Sequence, residues 1–259
     1  MTIDGNLSVS SSATSDSGLT YTTAYDVDGD SADMGISGDF GTITIDGGNG
    51  GAGDAAAMSG DVAADETTAV TPAFDGDEAV HGGFLSYSSP SISGANIYVG
   101  YTDGGADNEQ ATTAFGIKYA TEAAGASVTV GYAASSADKT ATSGAIDATS
   151  MGVKISSGAI AVTAALNTQD EDGEDADYEG TSVGLTYSVN DAMAIQMHSK
   201  SAENNDVAAY SYSESAVSAT YTIAPGLTSA ITFTNYDLTD DAGTKQDGSA
   251  TNVELKVAF

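Results

Sequence analysis

Residues 249–259 read SATNVELKVAF, so an extended chain carries Val253, Leu255, Val257 and Phe259 on one side and Asn252, Glu254 and Lys256 on the other. The same two-residue rhythm recurs from end to end, and apolar spacing of the helical kind never persists for three turns. It predicts strands near 2–12, 19–27, 32–37, 42–47, 83–89, 95–102, 112–121 and 126–135, then near 148–156, 159–168, 181–190, 193–202, 216–224, 227–238 and 249–259. Their apolar faces include Val128, Val130 and Tyr132; Met151, Val153 and Ile155; and Val183, Leu185, Tyr187 and Val189. Ser, Thr, Gly, Ala, Lys and Gln lie between them. Such a chain is all-β, with one greasy and one polar face along nearly every strand.

The connections alternate too. Short ones fall at 15–18, 37–41, 89–94, 121–125, 156–158, 189–191 and 224–226. Longer acidic segments fall between them, at 103–110, 169–180 and 239–249. Short turns on one rim and long loops on the other mark a transmembrane antiparallel up-and-down β-barrel. A Greek-key sandwich would scatter its long connections. Bacterial single-chain barrels close with an even number of strands, and about fifteen are read here. The expectation is therefore a sixteen-stranded architecture whose first strand precedes Met1. The opening MTIDGNLSVS has neither a basic nor an apolar leader region, so an export signal is expected upstream or already removed.

Charge narrows the function. Thirty-seven acidic residues face six basic ones, all lysine, for a formal net charge of -31. Nucleic-acid binding, which needs clustered Lys or Arg, is excluded. The absence of Cys rules out disulfides and thiolate metal sites. No apolar run is long enough for a transmembrane helix. High net charge can also mean disorder, but 41% hydrophobic residues in regular alternation confine that reading to the loops.

One connection, 48–82, is far longer than the rest, and loops of that length are usually functional. SDSGLTYTTAYD at 15–26, GDFGTITIDGG at 38–48 just before the insertion, and the terminal VAF resemble the general porins of Gram-negative bacteria, especially the Rhodobacter-type alphaproteobacterial porins. The resemblance implies a single barrel domain over 1–259 in the cell outer membrane, with 48–82 folded into the bore as a constriction. It also implies a homotrimer bordered by lipid and lipopolysaccharide that passes small hydrophilic solutes. The chain departs from the family in having no arginine, where such porins line the wall opposite the loop with an arginine cluster.

A diffusion pore needs a bore, a constriction and an electrostatic profile. The acidic side of the constriction is expected from Asp54, Asp61, Asp65, Glu66, Asp75, Asp77 and Glu78, and the basic wall from Lys118, Lys154, Lys200 and Lys256. Lys118, Lys154 and Lys256 stand between apolar neighbours, and Lys200 has the parity of Gln196 and His198, opposite Met193, Ile195 and Met197, so all four are expected to point into the lumen; on the lipid side each would cost roughly 2–4 kcal/mol. Acid outnumbers base, and the expected preference is for cations. His81 and His198 lie far apart and are expected to be structural or incidental. No nucleophile elbow with a partner histidine occurs, and no enzyme activity or required cofactor is expected. The clusters containing Asp26, Asp28 and Asp30 and Asp170, Asp172 and Asp175 suit Ca²⁺ on the outer loops, or simple solvation. The competing reading is a secreted, acidic, calcium-binding surface or adhesin β-protein. It would repeat a glycine-aspartate nonapeptide, whereas only 47–54 approaches one.

Overall fold

The computed structural model describes residues 8–26, 32–45, 55–64, 68–76, 84–104, 110–140, 143–172, 176–206 and 210–257. Among the described residues there are fifteen strands: β1 (Ser8–Thr14), β2 (Thr20–Asp26), β3 (Ala32–Gly38), β4 (Gly41–Ile45), β5 (Leu85–Ser88), β6 (Ala95–Thr102), β7 (Thr112–Ala123) and β8 (Ala126–Ala137). They continue as β9 (Ile146–Ser157), β10 (Ile160–Glu171), β11 (Asp177–Asn190), β12 (Met193–Asn204), β13 (Ser211–Ala224), β14 (Leu227–Thr239) and β15 (Lys245–Val257). They hydrogen-bond strictly in sequence order in one sheet. Phe259 and the outer ends of several predicted strands lie outside the described residues.

Two compact units divide the chain. The first comprises Met1–Ala57, Val80–Tyr119 and Tyr132–Ala148. In it β3, β4 and β5 are short, at 7, 5 and 4 residues. Met34 and Ile36 pair with Ile45 and Ile43, which in turn pair with Leu85 and Tyr87. All but the tyrosine of this row are strongly exposed. The opposite face of the same strands and of β2 carries Thr20, Thr22, Ser37, Thr42, Thr44, Ser86 and Ser88, a lining of hydroxyls.

The second unit comprises Met58–Ala79, Ala120–Gly131 and Thr149–Phe259. Here β11 to β15 are 12 to 14 residues long. One outward row runs Tyr187, Ile195, Ala219, Ile231 and Val253, and the next Leu185, Met197, Val217, Phe233 and Thr251. Exposed Tyr187 and Tyr221 stand near the short-turn rim, where amphipathic rings suit a membrane interface. In ordinary globular proteins this many bare Val, Ile and Phe side chains would be an anomaly; against hydrocarbon they are the stable arrangement.

Three expectations are corrected at the long-loop ends. The segments 169–180 and 239–249 are not loops for most of their length. Asp170 pairs with Asp177, and β14 and β15 run to Thr239 and from Lys245. Between the latter lies a tight turn, in which Gly243 N–H donates to Asp240 O at 2.8 Å and Gly243 adopts φ +78°. Likewise β13 begins at Ser211 rather than near 216. The physical reason is common to all. Beyond the apolar rows come Ser199, Ser215, Asn235 and Ser249, then Ser201, Ser213, Asp237 and Asp247. Leaving hydrocarbon ends the apolar alternation but not the hydrogen-bonded ladder.

A docked loop as candidate functional site

Residues 58–64 and 74–76 lie against the inner face of β9 to β14, the face opposite the apolar rows. The backbone contacts advance along the wall. Gly60 N–H donates to Ser182 Oγ on β11 at 2.8 Å, and Gln196 Nε2 on β12 donates to Val62 O at 2.6 Å. Ala64 N–H donates to Ser218 Oγ on β13 at 3.0 Å, while the Thr232 hydroxyl on β14 donates to Ala64 O. The loop thus moves about two residues per strand, roughly 6.6 Å of extended chain against a strand spacing of about 4.8 Å. It crosses the wall obliquely.

Glycines make this approach possible. A Cβ on Gly184 would meet Gly60 O at 2.2 Å, one on Gly152 would meet Met58 Cβ at 2.6 Å, and one on Gly180 would meet Gly76 Cα at 2.2 Å. Gly76 itself has φ +85°, and its missing Cβ would strike Ser201 O. Backbone lies directly on backbone in a groove that side chains would fill.

A second anchor holds the later part of the loop. Phe74 N–H donates to the Tyr210 hydroxyl at 2.9 Å, and that hydroxyl donates back to Phe74 O. Burial pushes the Tyr210 phenol up to about 12, so it remains a donor. Tyr178 packs between, with ring centroids 5.7 Å from Phe74 and 5.2 Å from Tyr210. Asn167 Nδ2 donates to Gly76 O at 3.1 Å.

Between the anchors sits a cluster of charge. Lys200 Nζ lies 2.8 Å from Asp61, 3.0 Å from Asp75 and 3.7 Å from Glu214. His198 stands between two carboxylates, Nδ1 at 2.9 Å from Asp61 and Nε2 at 2.9 Å from Glu214. Acceptors on both sides suit an imidazolium donating from both nitrogens. The Tyr212 hydroxyl donates to the other Glu214 oxygen. Lys200, His198 and Glu214 side chains are at most 5% exposed. Burial alone would raise the Asp61 carboxyl, but hydrogen bonds from His198 and Lys200 outweigh it and hold it well below the usual range.

Because that value is depressed, Asp61 contributes stability to the docked loop above its ordinary value of 3.8 and loses it as pH falls further. Protease resistance of the loop in detergent is therefore expected to be the same between about pH 7 and pH 4 and to fail only in stronger acid. Failure near pH 6 would show that protonation of a neutral His198, rather than of Asp61, governs docking.

Among the described residues, Asp61, His198 and Glu214 are the grouping closest to a metal triad. The imidazole already spends both nitrogens on the two carboxylates, and the Lys200 ammonium fills the space a cation would take. The cluster is an ion-pair lock.

Of the carboxylates expected at the constriction, Asp61 and Asp75 are placed on the wall by this lock, while Asp54, Asp65, Glu66, Asp77 and Glu78 lie outside the described residues. Of the lysines, Lys200 is brought under the loop. Lys118, Lys154 and Lys256 share the inward parity of Ala114, Ser150 and Asn252, and Lys154 and Lys256 are exposed. His198 is structural; His81 lies outside the described residues. So do Asp28, Asp30 and Asp175 of the calcium clusters, while Asp26 and Asp170 are strand residues and Asp172 is exposed. Sequence reasoning missed Glu214, Tyr178, Tyr210, Tyr212, Asn167 and the wall glycines. The available signal was large polar side chains, with Gly180 and Gly184 among them, at inward positions of consecutive strands.

An all-β sheet that bares apolar rows outward and holds an inserted loop on its inner face defines an outer-membrane channel fold. The family model described as Gram-negative porin matches residues 2–241, and the chain belongs to that family. A porin structure refined at 1.8 Å aligns with TM-score 0.71 and 17% identity over 98% of this chain and 92% of that one. An anion-selective porin from Comamonas acidovorans aligns with TM-score 0.64 and 12% identity, covering 97% and 87%. The trimer form of OmpT, an outer membrane protein of Vibrio cholerae, aligns with TM-score 0.65 and 12% identity, covering 96% and 88%. Comparison with curated protein sequences gives no match. The fold is the antiparallel up-and-down barrel, and the protein is a non-enzymatic channel of the outer membrane.

Proposed function

We propose that this porin is a homotrimeric, cation-preferring channel for passive diffusion of small hydrophilic solutes, with residues 48–82 forming its constriction. The observation that carries the selectivity is the lock: Lys200 is paired to Asp61 and Asp75, so its charge is spent on the loop rather than presented to passing anions. The segment 48–82 holds seven carboxylates and no lysine, and the chain has no arginine. A low-dielectric wall focuses the surplus negative field and concentrates cations. An anion-selective relative means that family membership alone does not fix the sign.

The trimer is supported by the short, flat β3 to β5, which suit protein contact better than the tall strands do. On the long-loop side, carboxylates such as Asp172 and Asp240 would meet lipopolysaccharide, with Ca²⁺ or Mg²⁺ offsetting the repulsion. Changing Asp65, Glu66, Asp77 and Glu78 to Asn or Gln spares the lock and is expected to move the zero-current potential toward anions in planar bilayers. Salt at about 1 M shortens the screening length to about 3 Å and should shrink the difference. An unaltered reversal potential in dilute salt would sink the selectivity reading.

A further inference from the structure

Below the docked loop, at the short-turn rim, the second unit contains a concavity of about 530 Å³ that neither the loop nor the lock uses. It lies on the inner face, because Ser188, Ala194 and Thr220 keep the parity of Gln196 and Ser218, which touch the loop. Three features build it. Ala159, Ala194 and Ala230 put small side chains on the inner face, and the first two line the hollow. Hydroxyls from Ser188, Thr220 and Thr222 and the Asn190 amide stand around these alanines. Two β-bulges, between Ser188 and Asn190 and between Thr222 and Ala224, open alternate strands at this level.

The backbone here is satisfied: Ser188 N–H donates to Ala159 O and Thr222 N–H to Ala192 O, each at 2.8 Å, and Ala192 N–H donates to Asn190 Oδ1 at 2.9 Å. The three hydroxyls take no hydrogen-bond partner among the described residues. The volume falls in the usual range for small-molecule sites, about 300–1,000 Å³. Each hydroxyl both donates and accepts, and apart from Asp191 at the rim the lining is uncharged.

Resting on the channel reading above, we propose that this hollow is a binding subsite for a neutral polyhydroxylated solute of sugar size, on the side where the short turns lie. Hydroxyl-rich solutes exchange their water for the Ser188, Thr220 and Thr222 hydroxyls at no charge-desolvation cost. A charged solute finds no counter-ion except Asp191. Sugar passage then has a saturable step, which a featureless bore lacks.

The test uses the full chain in planar bilayers in KCl, with D-glucose added to one side and glycine betaine as a similarly small, zwitterionic control. Each variant is compared with its own glucose-free conductance. Glucose on the short-turn side is expected to lower conductance saturably, and betaine only in proportion to solution conductivity. Ser188→Ala with Thr220→Val is expected to raise the half-saturating glucose concentration about tenfold, the size of one to two net hydrogen bonds. Thr220→Ser should keep the effect, and Ala194→Leu, which fills the hollow and keeps every hydroxyl, should remove it. A glucose effect that is linear, or equal in all variants, overturns the proposal. Failure to conduct KCl at all would instead overturn the channel reading, and the subsite with it.

Discussion

Replacing Lys200 by Met is expected to release the loop from the wall while leaving the barrel folded. The substitution keeps most of the side-chain length but leaves Asp61 and the 3%-exposed Glu214 carboxylate facing each other with only His198 between them. Removing one partner of a buried ion pair costs about 3–5 kcal/mol, because the remaining charge has lost both water and counter-ion. The loop carries that loss, since the strands retain their ladders and the hydroxyl anchors at Ser182 and Ser218 are worth only about 0.5–1.5 kcal/mol each. Expected readouts are protease cleavage within 58–76 in detergent, and conductance that is larger and noisier than the parent's. Heat resistance of the barrel should fall far less. A quiet, protease-resistant K200M channel would show that the backbone contacts alone seat the loop.

The other large effect is expected from Gly180→Leu. Its Cβ would meet Gly76 Cα at 2.2 Å and the Phe74 ring at 2.8 Å, and neither can yield by a simple rotation. Gly76 is held at φ +85° by its fit against Ser201, and Phe74 is held by Tyr210 and Tyr178. The second anchor must lift while Gly60 to Ala64 stays bound through Ser182, Gln196 and Ser218. Overpacking of this kind costs typically 1–3 kcal/mol, and here it acts on a segment with few other contacts. The expected outcome is a loop displaced into the bore at its later half, so single-channel conductance drops. Gly125→Leu, at a turn whose surroundings are open, is the control: its strain is confined to φ +79° and should leave conductance as it was.

The fold was legible because lipid enforces a simple rule. Outward positions within hydrocarbon are overwhelmingly apolar, so period two survives along Val183, Leu185, Tyr187 and Val189 without interruption. Where strands rise past that medium, as at Ser211 to Ser215 or Lys245 to Ser249, the rule lapses and the sequence reads as loop although the ladder continues. The tight turns, such as Ala124–Gly125 and Pro225–Gly226, were plain from their composition.

The site was legible only in part. Inward parity picked out Lys200, and the insertion picked out Asp61 and Asp75, but nothing in the spacing says that residues 125 and 139 positions apart meet. Glu214 was hidden among polar neighbours, SYSESAV, where an inward carboxylate resembles a solvated one. The glycines of β11 were silent for a different reason: their role is to be absent, and only the loop lying on them reveals it.

That seating has a consequence for how such channels diversify. Gly60, Val62, Ala64 and Gly76 are gripped through their main-chain atoms by side chains of the wall, so most of the loop's own side chains are spared from holding it in place. Width and ionic character are thereby inherited separately. Substitutions along the loop away from Asp61 and Asp75 can recolour the electrostatics of the passage generation by generation, while the aperture stays under the custody of the Lys200 lock and a few glycines and hydroxyls on strands that lie far away in the chain.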